Sequence, residues 1–271
     1  VPEMGGLVVV AGFFAGAYSQ LILHNHFGNV SELDSFILAS MVTVIGIAFV
    51  GIIDDLLGLR QRTKAFLPFF FAIPLGIYVS QTMYIPFLGV VDFAYLMLLL
   101  VPFGVTCASN SMNMLEGFNG LGVGLGIIIT SSLVFMAYVN EQSGAMFLLV
   151  PLLGSLLAFF YYNKYPSKIF PGDTLMLFMG ATIGCGAILG NLKMEGVILL
   201  LPMIAEFFLK LRSKFKAECF AENVKENGVL VFTGPVHSLT HLPMKFYSFT
   251  EKNLVSLFWV LEIFLAFLVI I

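Results

Sequence analysis

Charge is what this sequence most lacks. Asp, Glu, Lys and Arg make up 11% of its 271 residues, against 59% that are hydrophobic, whereas soluble domains carry roughly 25% charged residues. With a mean hydropathy of +0.98, that scarcity excludes a water-soluble globule and leaves a polytopic membrane protein. There is no basic excess, the net charge being −3, so nucleic acid is not an expected partner. Cysteine is limited to Cys107, Cys185 and Cys219, an odd number with no CxxC or metal-ligand spacing, which reads as buried structural thiols. No polar gap of soluble-domain size interrupts the apolar stretches, so residues 1–271 are read as a single transmembrane domain. The first apolar stretch lacks a basic lead, so a cleaved signal peptide is not expected. Because the chain starts at Val1, inside what reads as a motif, a preceding helix is expected to be absent from it.

Long apolar runs are what it has instead. Windows at about 5–23, 36–53, 65–80, 93–109, 121–139, 145–162, 174–190, 195–210 and 253–271 predict an all-α fold of about nine transmembrane helices. Pro68, Pro74, Pro102, Pro151 and Pro202 fall inside them and predict kinks. Counting sides from the N-terminus, the segments after spans 2, 4, 6 and 8 share a face with residues 1–5. Of the 13 Lys and Arg, 12 lie on that face: Arg60, Arg62, Lys64, Lys164, Lys168, Lys210, Arg212, Lys214, Lys216, Lys225, Lys245 and Lys252, with Lys193 opposite. The positive-inside rule makes that face cytoplasmic. Opposite loops at 24–34, 81–92, 140–144 and 191–195 read as connectors. The long polar stretch 211–252 is a cytoplasmic loop before the last helix, and its β-prone residues Gly228 to Gly234 predict a small strand pair.

The chemistry gathers on the cytoplasmic face. Residues 51–64, GIIDDLLGLRQRTK, end an apolar run in Asp54 and Asp55, with Arg60, Arg62 and Lys64 after them. A carboxylate pair at a membrane helix end is costly and reads as functional, a solvated helix terminus being the alternative. Residues 110–121, NSMNMLEGFNGL, put Asn110, Asn113 and Glu116 at i, i+3 steps if the helix runs on, while Gly117 and Gly120 allow close backbone approach to a ligand. Interhelical Asn bonding is the bland reading of that stripe. Residues 161–174, YYNKYPSKIFPGDT, turn at Pro171 and start a helix at Asp173, either a cap or a hard oxygen ligand for Mg²⁺. Phe170 is a candidate platform for a base. His237 and His241 complete the set, as donors to a diphosphate or sugar or as plain loop histidines. Carboxylates, cations and glycines at one membrane boundary suit a metal-bound diphosphate, where a soluble nucleotide meets a lipid head group.

These stretches, with residues 2–6 (PEMGG) and, less tightly, 235–243 (PVHSLTHLP), run in order through nearly the whole chain. They resemble the polyprenyl-phosphate N-acetylhexosamine-1-phosphate transferases, most closely the dolichyl-phosphate N-acetylglucosamine-1-phosphotransferase branch of eukaryotes and archaea. The resemblance implies a ten-helix fold with the first helix missing here, and transfer of N-acetylglucosamine-1-phosphate from its UDP-sugar to a polyprenyl phosphate with release of UMP, the first lipid-linked step of N-glycan-type assembly. It implies Mg²⁺ as cofactor, with Mn²⁺ as a substitute, held by Asn113 and Asp173. Lys64 is implied as a diphosphate contact, Asn119 and Phe170 as uridine contacts, and Asp54 and Asp55 as essential carboxylates near the lipid phosphate. Glu116, Gly117, His237 and His241 join the substrate-binding set. The implied setting is an archaeal or bacterial cell membrane or the endoplasmic reticulum, active site to the cytoplasm, with a homodimer as one option for assembly. The 235–243 loop departs most from the family, which has an Arg motif in the eukaryotic branch and adjacent histidines in the muropeptide branch.

Three alternatives compete. A bacterial-type enzyme would use UDP-N-acetylmuramoyl-pentapeptide, or another UDP-N-acetylhexosamine, with undecaprenyl phosphate. An ion-coupled transporter would place its carboxylates near the midplane, where only Glu206 and Glu262 lie here. An intramembrane aspartyl protease shares the Gly172-Asp173 pair but wants its second Asp inside a helix after Tyr, which Asp54 is not.

Overall fold

The structure, a computed structural model, describes residues 1–27, 35–79, 82–85, 89–92 and 94–271. Its helices are α1 (Gly6–Phe27), α2 (Ser35–Leu57), α3 (Gln61–Tyr78), α4 (Met97–Met114), α5 (Leu121–Val139), α6 (Ser143–Asn163), α7 (Gly172–Leu189), α8 (Lys193–Leu199), α9 (Leu201–Arg212), α10 (His241–Phe246) and α11 (Glu251–Ile270). Two antiparallel pairs accompany them: β1 (Thr82–Ile85) with β2 (Gly89–Asp92), and β3 (Asn223–Val224) with β4 (Leu230–Val231). The strand pair expected in the 211–252 loop is therefore present. The loop expected as a plain connector at 81–92 holds a second pair, with Thr82 opposite Asp92. The 24–34 connector lies mostly outside the described residues, as do Gln81 and residues 86–88.

Helix α7 is the axis of the bundle. Every residue from Thr174 to Ala187 is buried, and an all-round apolar helix has to be surrounded by others. Helices α1, α2, α4, α5 and α6 pack around it. Small residues let them in closely: a methyl group on Gly180 would lie 2.4 Å from the Ala108 carbonyl oxygen of α4, and one on Gly126 of α5 would lie 2.2 Å from Met179 Sδ. Ser109 Oγ completes the α4–α7 seam with a 2.9 Å bond to the Leu177 carbonyl.

Among the described residues, six helices, α1, α2, α5, α6, α7 and α11, are long and apolar enough to cross a membrane. The nearly all-helical polytopic fold stands. Helices α3 and α4 have the length but carry polar turns, at Gln61–Lys64 and Ser109–Asn113, that dilute their apolar content. The window at 195–210 is two helices rather than one, broken at Leu200. Pro202, in the first turn of α9, has no N–H with which to continue α8. Pro68, Pro74, Pro102 and Pro151, by contrast, sit inside unbroken helices.

Candidate active site

One end of the bundle collects the sequence motifs. Helix α2 ends where Gly58 turns left-handed at φ +65 and its N–H reaches back 2.8 Å to the Asp54 carbonyl. Asp54 Oδ1 accepts the next free N–H, that of Leu59, at 2.7 Å, which closes the helix C-terminus and fixes the carboxylate. The chain then re-enters as α3, whose first turn delivers Lys64. The Lys64 ammonium lies 2.7 Å from Asp54 Oδ2 and 2.6 Å from Asp173 Oδ2. Lys64 and Asp54 are buried, whereas the Asp173 side chain is 32% exposed. The cation thus joins two carboxylates from helices far apart in sequence, and one of the two opens outward.

Asp55 faces the other way. Its Oδ1 accepts the Asp173 N–H at 2.7 Å, and its Oδ2 accepts the Thr174 N–H at 3.0 Å and the Thr174 hydroxyl at 2.5 Å. It serves as the N-terminal cap of α7, satisfying donors the helix cannot satisfy itself. The cap anticipated from Asp173 is thus made by Asp55, and the Asp173 carboxylate is left for Lys64. Gly172, at φ +69, leaves room for this: a methyl there would come 2.7 Å from Asp55 Oδ2.

Residues 2–6 do work that the sequence motif did not disclose. Phe170 N–H bonds to the Pro2 carbonyl at 2.9 Å, Gly5 N–H to the Phe170 carbonyl at 3.0 Å and Gly6 N–H to the Pro171 carbonyl at 2.9 Å. This short strap holds Phe170 against the start of α7. Asn163 Nδ2 steadies the same loop through the Ile169 carbonyl, at 3.1 Å.

The polar stripe on α4 is shorter than expected. The helix stops at Met114, so Asn110 and Asn113 share a face and Glu116 does not. Asn110 Nδ2 donates to the Thr106 carbonyl within α4 at 3.0 Å and across to the Ala65 carbonyl of α3 at 3.2 Å, tying the Lys64 turn to α4. The Asn113 amide makes no intramolecular hydrogen bond among the described residues. Glu116 turns back and its Oε2 accepts the Gly122 N–H at 2.8 Å at the start of α5. Burial pushes the Glu116 carboxyl up to about 7, against the pull of the Gly122 N–H. Asn119 is held through its backbone, its N–H donating to Glu251 Oε1 of α11 at 2.8 Å. Gly117 lies beneath Cys219, where a methyl would come 2.2 Å from the sulfur.

His237 and His241 sit in the loop that packs over this region. The imidazole of His241 stacks on Phe232 with ring centroids 3.7 Å apart and planes 16° from parallel. Its Nδ1 accepts the His237 N–H at 3.3 Å, which leaves the proton of a neutral ring on Nε2. That Nε2 is buried and without a partner among the described residues, as is His237 Nδ1. Burial holds His241 below the usual imidazole range, against the opposing pull of the Glu218 backbone. No hydrogen bond or ion pair among the described residues links either histidine to Asp54, Lys64 or Asp173.

The donor set fits a hard divalent cation. Mg²⁺ is bound by one or two protein oxygens together with substrate phosphates and water. Asp173, partly exposed, and Asn113, whose amide is unengaged, supply oxygens of that kind, while Lys64 beside Asp173 suits a ligand that brings further negative charge. No cluster of three or more acidic, His or Cys ligands occurs among the described residues.

A buried ammonium bridging two carboxylates therefore sits at one end of the helical bundle. Comparison with known proteins places the protein in a family: residues 37–191 match the sequence model of glycosyl transferase family 4, and the chain belongs to that family. Among its relatives is a Saccharolobus solfataricus protein carrying the provisional name UDP-N-acetylglucosamine–dolichyl-phosphate N-acetylglucosaminephosphotransferase, 39% identical over all of this chain and 84% of its own length. A Sulfolobus acidocaldarius protein of the same provisional name is 36% identical over all of this chain and 83% of its own length. A phospho-N-acetylmuramoyl-pentapeptide-transferase of Borreliella burgdorferi is 30% identical, over 77% of this chain and 65% of its own length.

Proposed function

We propose that this membrane transferase moves N-acetylglucosamine-1-phosphate from UDP-N-acetylglucosamine to a polyprenyl phosphate of dolichyl type, giving the polyprenyl-diphosphate sugar and UMP. The observation that carries this reading is the Asp54–Lys64–Asp173 bridge. It offers one fixed cation and one outward carboxylate where a diphosphate and a lipid phosphate have to be brought together. The names of the two archaeal relatives, matched over the full chain, support the sugar and the lipid.

Asn113 and Asp173 would hold Mg²⁺, or Mn²⁺ in its place, which would supply charge neutralisation for the diphosphate. Lys64 keeps Asp173 oriented and adds a second positive centre facing the phosphates. Asp54 holds Lys64 and lies nearest to where an acceptor phosphate is drawn in. That acceptor is already mostly dianionic at neutral pH, its second pKa being near 6, so orientation matters more than a strong general base. Phe170 stacks the base, the Asn119 loop reads its edge, and the buried N–H of His241 turns toward substrate oxygens on binding. The twelve cations on this end support a cytoplasmic orientation, and residues 1–271 act as one transferase domain.

The test is an assay of the purified protein with UDP-N-acetylglucosamine, UDP-N-acetylmuramoyl-pentapeptide and polyprenyl phosphates, with and without Mg²⁺ or Mn²⁺. Metal-dependent UMP release from the first nucleotide is expected. UMP release without added metal in the presence of a chelator removes the metal role, and no UMP release under any condition removes the reading. Orientation is tested separately, by cysteines at Gln61 and Ser167, which should label from the cytoplasm, and at Gln142, which should label from the other side.

A further inference from the structure

Away from the Lys64 bridge lies a second ion pair, with a buried carboxylate and a partly buried ammonium. Glu206 of α9 is fully buried, and its Oε1 lies 3.5 Å from the Lys210 ammonium one turn on. Its Oε2 accepts the Ser238 hydroxyl at 3.0 Å and the Leu239 N–H at 2.7 Å. Lys210 in turn donates to the carbonyl of Met114, the last residue of α4, where a helix leaves carbonyls unpaired and its dipole favours a cation. One ion pair therefore grips two loops. On the carboxylate side is the turn between His237 and His241, and on the ammonium side is the start of the 115–120 loop.

Cys219 makes a second bridge between the same two loops. Its carbonyl accepts the Thr240 hydroxyl at 2.6 Å and its thiol donates to the Glu116 carbonyl at 3.0 Å. Burial pushes that thiol up to about 12, so it remains a neutral donor. The histidine turn cannot lift without breaking its bonds to Glu206 or dragging residues 114–117 with it.

We propose that Glu206 is a positioning residue: through Lys210 it locks the 237–241 turn to the 114–119 loop, so that the two close on the nucleotide as one unit. The inference rests on the reading above that these two loops contact the UDP-sugar. Its physical core is that a fully buried carboxylate is expensive without its cation, and a largely buried ammonium without its carboxylate. Removal of either strands the other, and disorder spreads to both attachment points rather than to one.

Hydrogen–deuterium exchange of the purified full chain tests this without relying on turnover. Peptides covering 112–122 and 235–242 are followed in Glu206→Gln, Lys210→Met, the double variant and Ser238→Ala. Each single charge variant is expected to speed exchange in both loops by about tenfold or more, with the double variant closer to wild type than the sum of the singles, since coupled neighbours are non-additive. Ser238→Ala leaves the ion pair in place and is expected to loosen both loops more mildly, raising KM for UDP-N-acetylglucosamine several-fold with kcat little changed. Exchange that rises only in the loop each residue touches, with additive singles, overturns the proposal. If the charge variants cannot be purified folded, Ser238→Ala decides alone, and a change confined to 235–242 overturns it. If the protein turns over no UDP-sugar, the functional reading fails while the exchange comparison still decides the coupling.

Discussion

Asp55 caps the helix whose first turn holds Thr174: one carboxylate oxygen accepts both the N–H and the hydroxyl of Thr174, at 3.0 and 2.5 Å. Its neighbour Asp54 instead holds Lys64. Two adjacent aspartates thus have separate tasks, one building the site and one lining it. Asp55→Ala removes three hydrogen bonds from the α7 N-terminus, and a lost cap costs about 0.5–2 kcal/mol. Both activity and thermal stability are expected to fall, the latter read as a lower unfolding midpoint in detergent. An unchanged midpoint would show that the cap is not stabilising.

Asp173 should behave differently, because its side chain is partly exposed and its backbone, not its carboxylate, joins the cap. Asp173→Asn is expected to lower kcat by on the order of a hundredfold or more with the unfolding midpoint kept. Asp173→Glu should also fail, since Mg²⁺ at roughly 2.0–2.1 Å tolerates little displacement of its ligands. Near-normal turnover of Asp173→Asn in Mg²⁺ would remove it from the reaction.

Glu116 predicts a pH dependence. Its carboxyl is raised from 4.5 to about 7 in the folded chain by burial, so folding favours the protonated form. The associated stability is full below about 4.5 and is lost as pH rises through about 7. The unfolding midpoint should therefore drop between pH 5 and pH 8 in wild type, by more than in Glu116→Gln, whose side-chain oxygen still accepts the Gly122 N–H. Parallel curves for the two proteins would contradict it.

His241 supplies the prediction on specificity. With its ring stacked on Phe232 and its Nε2 buried, His241→Ala should lose far more activity than Lys225→Ala, which alters an exposed side chain on the same loop. UDP-N-acetylglucosamine should be used and UDP-N-acetylmuramoyl-pentapeptide should not. Comparable turnover of the pentapeptide nucleotide would align the chain with the muropeptide enzymes, and equal loss in the two variants would reduce the histidine loop to a connector.

Helical identity was legible in the sequence because it is local: apolar windows located nearly every long helix, and Asp173 does lie in the first turn of α7. Neighbourhood was not. Asp55 meets Thr174 across 119 positions and Ser238 meets Glu206 across 32, and no periodicity encodes such pairings. The expected Asn110–Asn113–Glu116 stripe failed at Glu116 for the same reason. Its spacing was right for a helix, but the Gly122 N–H, freed at the start of α5, was a better partner than another helical turn. The break at Leu200 was half visible in Pro202, since four other prolines in apolar windows produced no break.

The clearances around the first turn of α7 bear on how mutational data from this protein should be read. Methyl groups on Gly6, Gly51 and Gly172 would come 2.4 Å from Leu175 N, 2.5 Å from Thr174 Cα and 2.7 Å from Asp55 Oδ2, so α1 and α2 both press on one helix end with no spare volume. A saturation scan scored on activity should rank these glycines with the carboxylates, although none of them has a side chain that could touch a phosphate. Intolerance there measures how little room the chain leaves itself. Chemical participation is separated from it only by asking which inactive variants still melt like wild type.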